Sequence, residues 1–240
     1  MSMTAQHIVR SFDEDLKFLA NRIAAMGGHA ERMVDQAVTA LVNLDLDLAR
    51  RVVADDAFLD QTQREIDDRA IFIIAKRQPL AQDLREIIGT IRISGDLERV
   101  GDLGKNIAKR VAAVQENRQT VQLFRGLQAL AELALTQLKD VLDTYASRSV
   151  ERIGMVRDRD EQIDAMYTSL FRELLTYMME DPRNITACTH LLFCAKNIER
   201  IGDHATNIAE TVYYIVTGQQ MPVERPKEDK SHRVVVSGEG

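Results

Sequence analysis

The chain has 240 residues, of which 45% are apolar, so it holds enough core material for one large domain or two smaller ones. With 4 Pro, 12 Gly and no Trp it contains few helix breakers, and we expect an all-α protein. The formal charge of −6 provides no basic face for a phosphate backbone, which argues against nucleic-acid binding.

The first half of the chain predicts three long helices. Apolar residues recur at helical spacing between breaks, which places the helices at about residues 8–44, 45–76 and 79–114. Asp45 or Asp47 caps the second helix, and Pro79 stands in the first turn of the third.

The second half repeats this plan, with helices at about residues 121–145, 149–180 and 182–217. Ser149 caps the fifth helix, and Asp181 caps the sixth, with Pro182 in its first turn. We therefore expect a tandem duplication of three-helix bundles with antiparallel neighbours. The predicted units are residues 1–116, residues 117–218 and a disordered polar tail at 219–240.

One motif of the third helix returns in the sixth. The stretch "LERVGDLGKNIAK" begins at Leu97 and "IERIGDHATNIAE" begins at Ile198, and both have Glu, Arg, Gly, Asp, Asn, Ile and Ala at the same positions. Two interpretations compete: a duplication whose shared residues only pack helices, or two copies of one binding site. The direction of the acidic side chains distinguishes them.

The motif acids share one helix face in each copy. Residues advance by about 100° in an α-helix, so Glu98 lies on the same face as Asp102, and Glu199 on the same face as Asp203. Both pairs lie well away from the apolar stripe of their own helix. We therefore expect them outside the main core.

A second acidic pair with the same spacing lies on the middle helix of each half. Like charges four residues apart destabilise a helix by about 0.2–0.5 kcal/mol, and an oxygen-preferring cation would relieve the repulsion. We predict one site in each half for a divalent or trivalent ion (Mn, Mg, Zn or Fe). The predicted ligands are Asp56, Asp60, Glu98, Asp102, Asp160, Asp164, Glu199 and Asp203.

Two other residue types in the motif affect this prediction. Gly101 and Gly202 cost about 1 kcal/mol each relative to Ala in a helix, and we expect them to let another chain or a ligand approach closely. The alternative to a metal site is a solvated face on which Arg99 and Arg200 pair with the acids.

The N-terminus and the cysteines indicate the compartment. Asp13, Glu14 and Asp15 stand where a signal peptide would be apolar, and no apolar run approaches the roughly 18 residues of a membrane span. Cys188 and Cys194 are spaced neither as a disulfide framework nor as a CxxC pair. We expect a cytoplasmic protein with reduced, buried cysteines, which meets the membrane only through partners.

Several stretches, taken in order, resemble the PhoU family of bacterial phosphate-transport accessory proteins. They include "AMGGHAERMVDQAV", "IIAKRQPLAQDLR", "LLTYMMEDPRNI" and "LFCAKNIERIGD". Together with the two motif copies they extend the resemblance over about residues 8–217.

The resemblance implies two pseudo-symmetric three-helix bundles. Some members carry multinuclear metal clusters on E(D)xxxD motifs, which map onto the same eight carboxylates. It also implies a non-enzymatic adaptor that acts when phosphate is plentiful. Such an adaptor restrains the phosphate ABC transporter through its ATPase and holds a sensor histidine kinase in its signal-off state.

We therefore predict a homodimeric, non-enzymatic regulator of phosphate uptake and phosphate-starvation signalling that works through protein contacts. Two alternatives from other classes stay open. One is a metal-dependent hydrolase that activates water at the carboxylate clusters. The other is a purely structural helical scaffold that binds no metal.

Overall fold

The computed structural model describes residues 3–115 and 123–222. These residues form six long α-helices, one short α-helix and two 3₁₀ turns, and no β-strand occurs among them. The predicted all-α class is confirmed. The helices are α1 (Met3–Asn43), α2 (Leu46–Arg77), α3 (Ala81–Ala108), α4 (Val111–Gln115), α5 (Leu123–Ser147), α6 (Ile153–Glu180) and α7 (Ile185–Thr217).

Polar caps and a glycine mark several helix ends. The Asp45 carboxylate accepts a hydrogen bond from the backbone N–H of Leu48 at 2.9 Å and so caps α2. Asp181 accepts from the backbone N–H of Arg183 at 3.0 Å at the start of the short 3₁₀ turn Pro182–Asn184, which leads into α7. Gly218 ends α7 with a φ of 72°. The predicted caps Asp45 and Asp181 are confirmed. Ser149 makes no side-chain cap hydrogen bond, and α6 begins only at Ile153, after a 3₁₀ turn at Val150–Arg152.

The third helix differs from its prediction at both ends. Pro79 precedes the helix, because Leu80 is extended (φ −111°, ψ 150°) and α3 begins at Ala81. Near the other end the backbone N–H of Arg110 donates to the carbonyl of Ile107 at 3.0 Å. This tighter, three-residue hydrogen bond separates α3 from α4, so the helix does not continue unbroken to residue 114.

Other boundaries fall outside the described residues. These are the predicted start of the fourth long helix at 121, the predicted division of the halves at 116–117, and most of the predicted disordered tail. Cys188 and Cys194 are free and buried, as predicted. No helix within the described ranges is both long enough and apolar enough to span a membrane.

The two halves share one hydrophobic core. Within the first half, α1, α2 and α3 pack on one another, and within the second half α5, α6 and α7 do the same. In addition α3 packs along α7 and α1 packs along α5, so the buried apolar side chains of both halves form one continuous cluster. The result is an inner group of α1, α3, α5 and α7, with α2 and α6 on its flanks.

The inner helices α3 and α7 run antiparallel and lie very close. Gly89 near the start of α3 faces Ile215 near the end of α7, whereas Arg110 just beyond α3 reaches His190 near the start of α7, at 3.1 Å. A Cβ atom added at Gly89 would lie 2.4 Å from Cδ1 of Ile215. The absence of a side chain at Gly89 therefore permits the close contact between the halves.

This contact generates a test of the packing between the halves. Gly89→Ala and Gly95→Ala introduce the same methyl group into α3, so their helix-propensity effects cancel. A Cβ atom added at Gly95 would lie 3.8 Å from Nε2 of Gln63, which is an ordinary van der Waals contact. We expect Gly89→Ala to be less stable than Gly95→Ala by about 1–3 kcal/mol because of overpacking, measured by urea denaturation. Equal stability of the two variants would contradict the close α3–α7 contact.

Candidate functional site

The eight predicted ligands lie on two pairs of packed helices. We call Asp56 and Asp60 of α2 with Glu98 and Asp102 of α3 the first carboxylate set. The second carboxylate set is the corresponding group on α6 and α7: Asp160, Asp164, Glu199 and Asp203. Each set therefore joins a flanking helix to the inner helix of the same half.

A lysine holds the two helices of the first set together. The Lys105 ammonium on α3 donates to the carboxylate of Asp102 at 2.6 Å and forms a short ion pair with Asp56 of α2. Asp56 is only 8% exposed, so this contact is largely shielded from solvent. Although burial lowers the pKa of Lys105, its hydrogen bonds to Asp102 and Asp56 outweigh that effect and raise it.

Glu98 shows that the carboxylates of the first set lie within electrostatic reach of one another. Burial raises the pKa of Glu98, and the charges of Asp102, Asp60 and Asp56 raise it further, while Arg99 opposes them. The side chain of Glu98 is 15% exposed. Repulsion among carboxylates thus acts on a largely buried group.

The predicted alternative, pairing of the acids with arginines, is present at the rim of the first set. Arg99 lies 3.4 Å from Glu98 and 3.4 Å from Asp102, and Arg64 lies 3.9 Å from Asp60. Both arginine side chains are well exposed. Exposed pairs of this kind contribute about 0–1 kcal/mol, so they offset only part of the repulsion.

A neutral hydroxyl performs the corresponding bridging role in the second set. Thr206 of α7 donates to a carboxylate oxygen of Asp160 on α6 at 3.0 Å. The side-chain amide of Gln137 on α5 donates to Thr206 Oγ1 and to the carbonyl of Val156, each at 3.0 Å. The buried amide thereby fixes the hydroxyl that contacts Asp160.

Glu199 is a largely buried motif acid of the second set, with a side chain that is 11% exposed. Burial raises the pKa of Glu199, the neighbouring Lys196 lowers it, and the charges of Asp203 and Asp164 raise it again. Lys196 donates to its Oε1 at 2.7 Å, but Oε2 is buried and has no hydrogen-bond partner. An unsatisfied buried carboxylate oxygen is unfavourable unless another cation or donor reaches it.

The motif glycines accommodate the flanking helices of the same chain. A Cβ atom at Gly101 would lie 2.1 Å from Leu59 of α2, and one at Gly202 would lie 3.0 Å from Ile163 of α6 and 3.1 Å from Gln137 of α5. The expectation that another chain or a ligand approaches these glycines is therefore wrong. Instead they bring the two helices of each set close together.

Three features of the site were missed by the sequence interpretation. One is the pairing of Lys105 with both Asp56 and Asp102. The position of Lys105, three residues after Asp102 on the same helix, could have indicated part of it. Another is the Gln137–Thr206–Asp160 chain. The third is a polar link between the halves, in which Nδ1 of His204 lies 2.9 Å from a carboxylate oxygen of Asp96. These last two join residues far apart in the sequence.

The residues present suit a hard cation in donor type and charge. Carboxylate oxygens are the ligands that Mg²⁺, Mn²⁺ and iron prefer. One of them, Oε2 of Glu199, has no hydrogen-bond partner. In the first set, the Lys105 ammonium lies between Asp56 and Asp102, at the position where a bridging cation would neutralise both. Among the described residues, however, no three His, Cys, Asp or Glu side chains are grouped as ligands of one ion. Binding would thus require the carboxylates to draw together.

A shallow groove elsewhere on the molecule is separate from the carboxylates. It lies between α1 and α5, helices that contribute none of the eight predicted ligands. Its lining includes Glu31, Arg32, Asp35, Thr136 and Lys139.

The raised pKa of Glu98 generates a prediction for the metal-free protein. Ionisation of a group whose pKa is raised by folding destabilises the folded state above its unfolded pKa of about 4.3. We therefore expect Glu98→Gln to be more stable than the wild type near neutral pH, and the gain to disappear as the pH falls below about 4. The measurement is urea denaturation in a chelator across this pH range.

The exposed Glu210 of α7 provides the control. Glu210→Gln removes the same charge from an exposed position, and we expect little change in stability at any of these pH values. A Glu98→Gln protein that is less stable than the wild type near neutral pH would show that burial and the neighbouring acids do not destabilise the ionised Glu98.

Sequence comparison identifies relatives along almost the whole chain. The PhoU domain matches residues 23–111 and again residues 127–212. The phosphate-specific transport system accessory protein PhoU homolog of Rhizobium meliloti is 67% identical over 227 residues, which cover 95% of this chain and 96% of that protein. The accessory protein PhoU of Escherichia coli is 37% identical over 214 residues, covering 89% of this chain and 88% of that protein.

Solved structures give the same result. The crystal structure of PhoU from Pseudomonas aeruginosa has a TM-score of 0.83 at 36% identity and covers 87% of this chain and 100% of that one. The crystal structure of the phosphate transport system regulatory protein PhoU from Streptococcus pneumoniae has a TM-score of 0.81 at 28% identity. It covers 88% of this chain and 100% of that one. The twofold domain match, the relatives and the shared fold show that this chain belongs to the PhoU family.

Proposed function

We propose that this protein is a non-enzymatic regulator of phosphate uptake and of phosphate-starvation signalling. The observation that carries the proposal is the end-to-end match to proteins named as accessory proteins of the phosphate-specific transport system, at up to 67% identity over 95% of the chain. Because the match includes both halves, it covers the whole helical framework that would present a contact surface.

We infer that the partners are the ATPase of the phosphate ABC transporter and a sensor histidine kinase. The support is the name of the relatives, which links them to a transport system, together with the regulatory role expected from the family. In this proposal the protein works in the cytoplasm as a homodimer, and it reaches the membrane only through these partners. It restrains uptake and signalling while phosphate is plentiful.

We further propose that the two carboxylate sets are cation sites. Support comes from the burial and the neighbouring negative charges that raise the pKa values of Glu98 and Glu199. Further support comes from the unsatisfied Oε2 of Glu199 and from the repetition of the arrangement in both halves. The side chains of the sets would hold a divalent or trivalent ion (Mn, Mg, Zn or Fe). Such an ion would supply charge neutralisation between a flanking helix and an inner helix.

Deletion of the gene tests the regulatory proposal. We expect phosphate-starvation genes to be expressed in phosphate-rich medium in the deletion strain, because the kinase is then no longer held in its signal-off state. A reporter fused to a phosphate-starvation promoter measures this. The wild-type gene supplied on a plasmid should return reporter expression to its low level. Reporter expression that stays low in the deletion strain would refute the proposal.

Thermal melting with added ions tests the cation sites. An ion that binds only the folded chain adds about 2.7 kcal/mol at a 100-fold excess over its dissociation constant, which is about 5–11 °C for a chain of this size. We expect Mn²⁺, Mg²⁺, Zn²⁺ or Fe³⁺ to raise the melting temperature of the wild type. Elemental analysis counts the bound metal.

Paired substitutions assign the effect to the sets. Glu98→Gln with Asp102→Asn should remove the contribution of the first set only, and Glu199→Gln with Asp203→Asn that of the second only, because the two sets share no ligand. The alternative of a metal-free scaffold would be supported by a wild type that retains no metal and melts at the same temperature with every ion.

A further inference from the structure

The last turns of α2 are apolar on every side. The stretch "IFIIA", which begins at Ile71, contains no polar residue. Ile73 is fully buried, whereas Ile71 is 62% exposed and Phe72 is 44% exposed. A helix that is apolar all round is normally covered on all sides, but the outward face of this segment is open to solvent.

Two leucines extend this apolar face around the turn that joins α2 to α3. Leu80 is 81% exposed in the turn, and Leu84 is 36% exposed in the first turn of α3. We call Ile71, Phe72, Leu80 and Leu84, together with Lys76, the turn patch. Grouped apolar side chains on a surface indicate a place of contact with another molecule, whereas single exposed ones do not.

Lys76 places a positive charge without a carboxylate partner inside the turn patch. Its ammonium lies 4.9 Å from the centre of the Phe72 ring. The buried Asp15 is held by Arg69 and Arg77, and no carboxylate of the described residues forms an ion pair with Lys76. The ammonium is therefore available to a carboxylate of another molecule.

The corresponding turn of the second half differs in charge. The stretch "AKRQP", which ends at Pro79, corresponds to "MMEDP", which ends at Pro182. Both turns expose apolar side chains, since Met179 in the second turn is 78% exposed. The first stretch has Lys and Arg where the second has Met and Glu, so the two turns form a matched comparison within one chain.

We propose that the turn patch is the surface on which this protein docks the ATPase of the phosphate ABC transporter, through a segment of the ATPase that combines apolar side chains with a carboxylate that pairs with Lys76. This inference rests on the proposed function and adds the place of the contact. The names of the relatives connect them to the transport system, which makes the transporter the partner to test.

The charges of the turn patch favour a protein over a membrane. Binding to an anionic membrane typically takes clusters of about four to eight Lys or Arg side chains. Residues 71–84 contain two such cations together with the acidic Asp83, and the side chain of one cation, Arg77, is only 15% exposed. A single well-exposed ammonium beside apolar side chains suits one carboxylate at a defined position.

Binding of the full chain to the assembled transporter in phosphatidylcholine nanodiscs, measured by surface plasmon resonance, tests the docking surface. We expect Leu80→Ser, and Ile71→Ser as a second variant, to weaken binding at least about tenfold, because truncating an apolar side chain at the centre of an interface is costly. The matched control is Met179→Ser, which removes a similarly exposed side chain from the corresponding turn. We expect it to change the affinity by no more than about twofold.

The possible failures of this experiment are distinct. Binding by the wild type that neither Leu80→Ser nor Ile71→Ser weakens, or an equal loss in Met179→Ser, would overturn the docking surface and leave the proposed function intact. A wild type that does not bind the transporter would refute the proposed partner, and the docking surface with it. Circular dichroism and the melting temperature establish that each variant is folded.

Charge reversal tests the role of Lys76. We expect Lys76→Glu to weaken binding at least about tenfold at low salt, and its difference from the wild type to shrink as salt is added, because salt screens the charges. The control is Lys109→Glu, the same reversal at an exposed position beyond the other end of α3, which should change the affinity by no more than about twofold. An equal loss in both variants would overturn the pairing of Lys76 with a carboxylate.

Two further measurements separate the transporter from other occupants of the turn patch. The wild type should not cosediment with phosphatidylglycerol vesicles, and light scattering should give the wild type and Leu80→Ser the same mass. Cosedimentation that Leu80→Ser abolishes would assign the patch to a membrane, and a lower mass of the variant would assign it to a second copy of the chain. Either result would overturn the proposal.

Discussion

The antiparallel contact between α3 and α7 is the interaction on which the rest of the arrangement depends. It is tight because Gly89 offers no side chain against Ile215, and it joins the apolar cores of both halves into one cluster. With that contact in place, the outer surfaces of α3 and α7 remain for α2 and α6. Each motif is therefore confined to the groove between an inner helix and a flanking helix, where its acids meet a second pair.

Burial of like charges at these two places requires compensation, and each half provides it differently. In the first half an ammonium on α3 bridges the two helices. In the second half the bridge is a hydroxyl, supported by a buried amide from α5, while the lysine pairs along its own helix. The two copies of the motif thus share their acids but differ in the group that bridges the two helices. That group is charged in the first half and neutral in the second.

The polar contact between Asp96 and His204 joins α3 to α7 beside both motifs. A rearrangement of carboxylates in one half would therefore take place next to a contact with the other half. In the proposed regulator, a partner would detect such a rearrangement through the surface of the helices.

The sequence alone determined the all-α class, the order of the six long helices and the caps Asp45 and Asp181, because these depend on local periodicity and turn chemistry. Two of its errors were local: Pro79 precedes α3, and a tightened turn at Arg110 ends that helix. The expectation that another chain or a ligand approaches Gly101 failed for a tertiary reason. Only the tertiary structure decided that Gly101 admits Leu59, that Lys105 reaches Asp56, and that Gln137 supports Thr206. These contacts join residues that are distant in sequence, so they form only when the helices of each half have packed on one another.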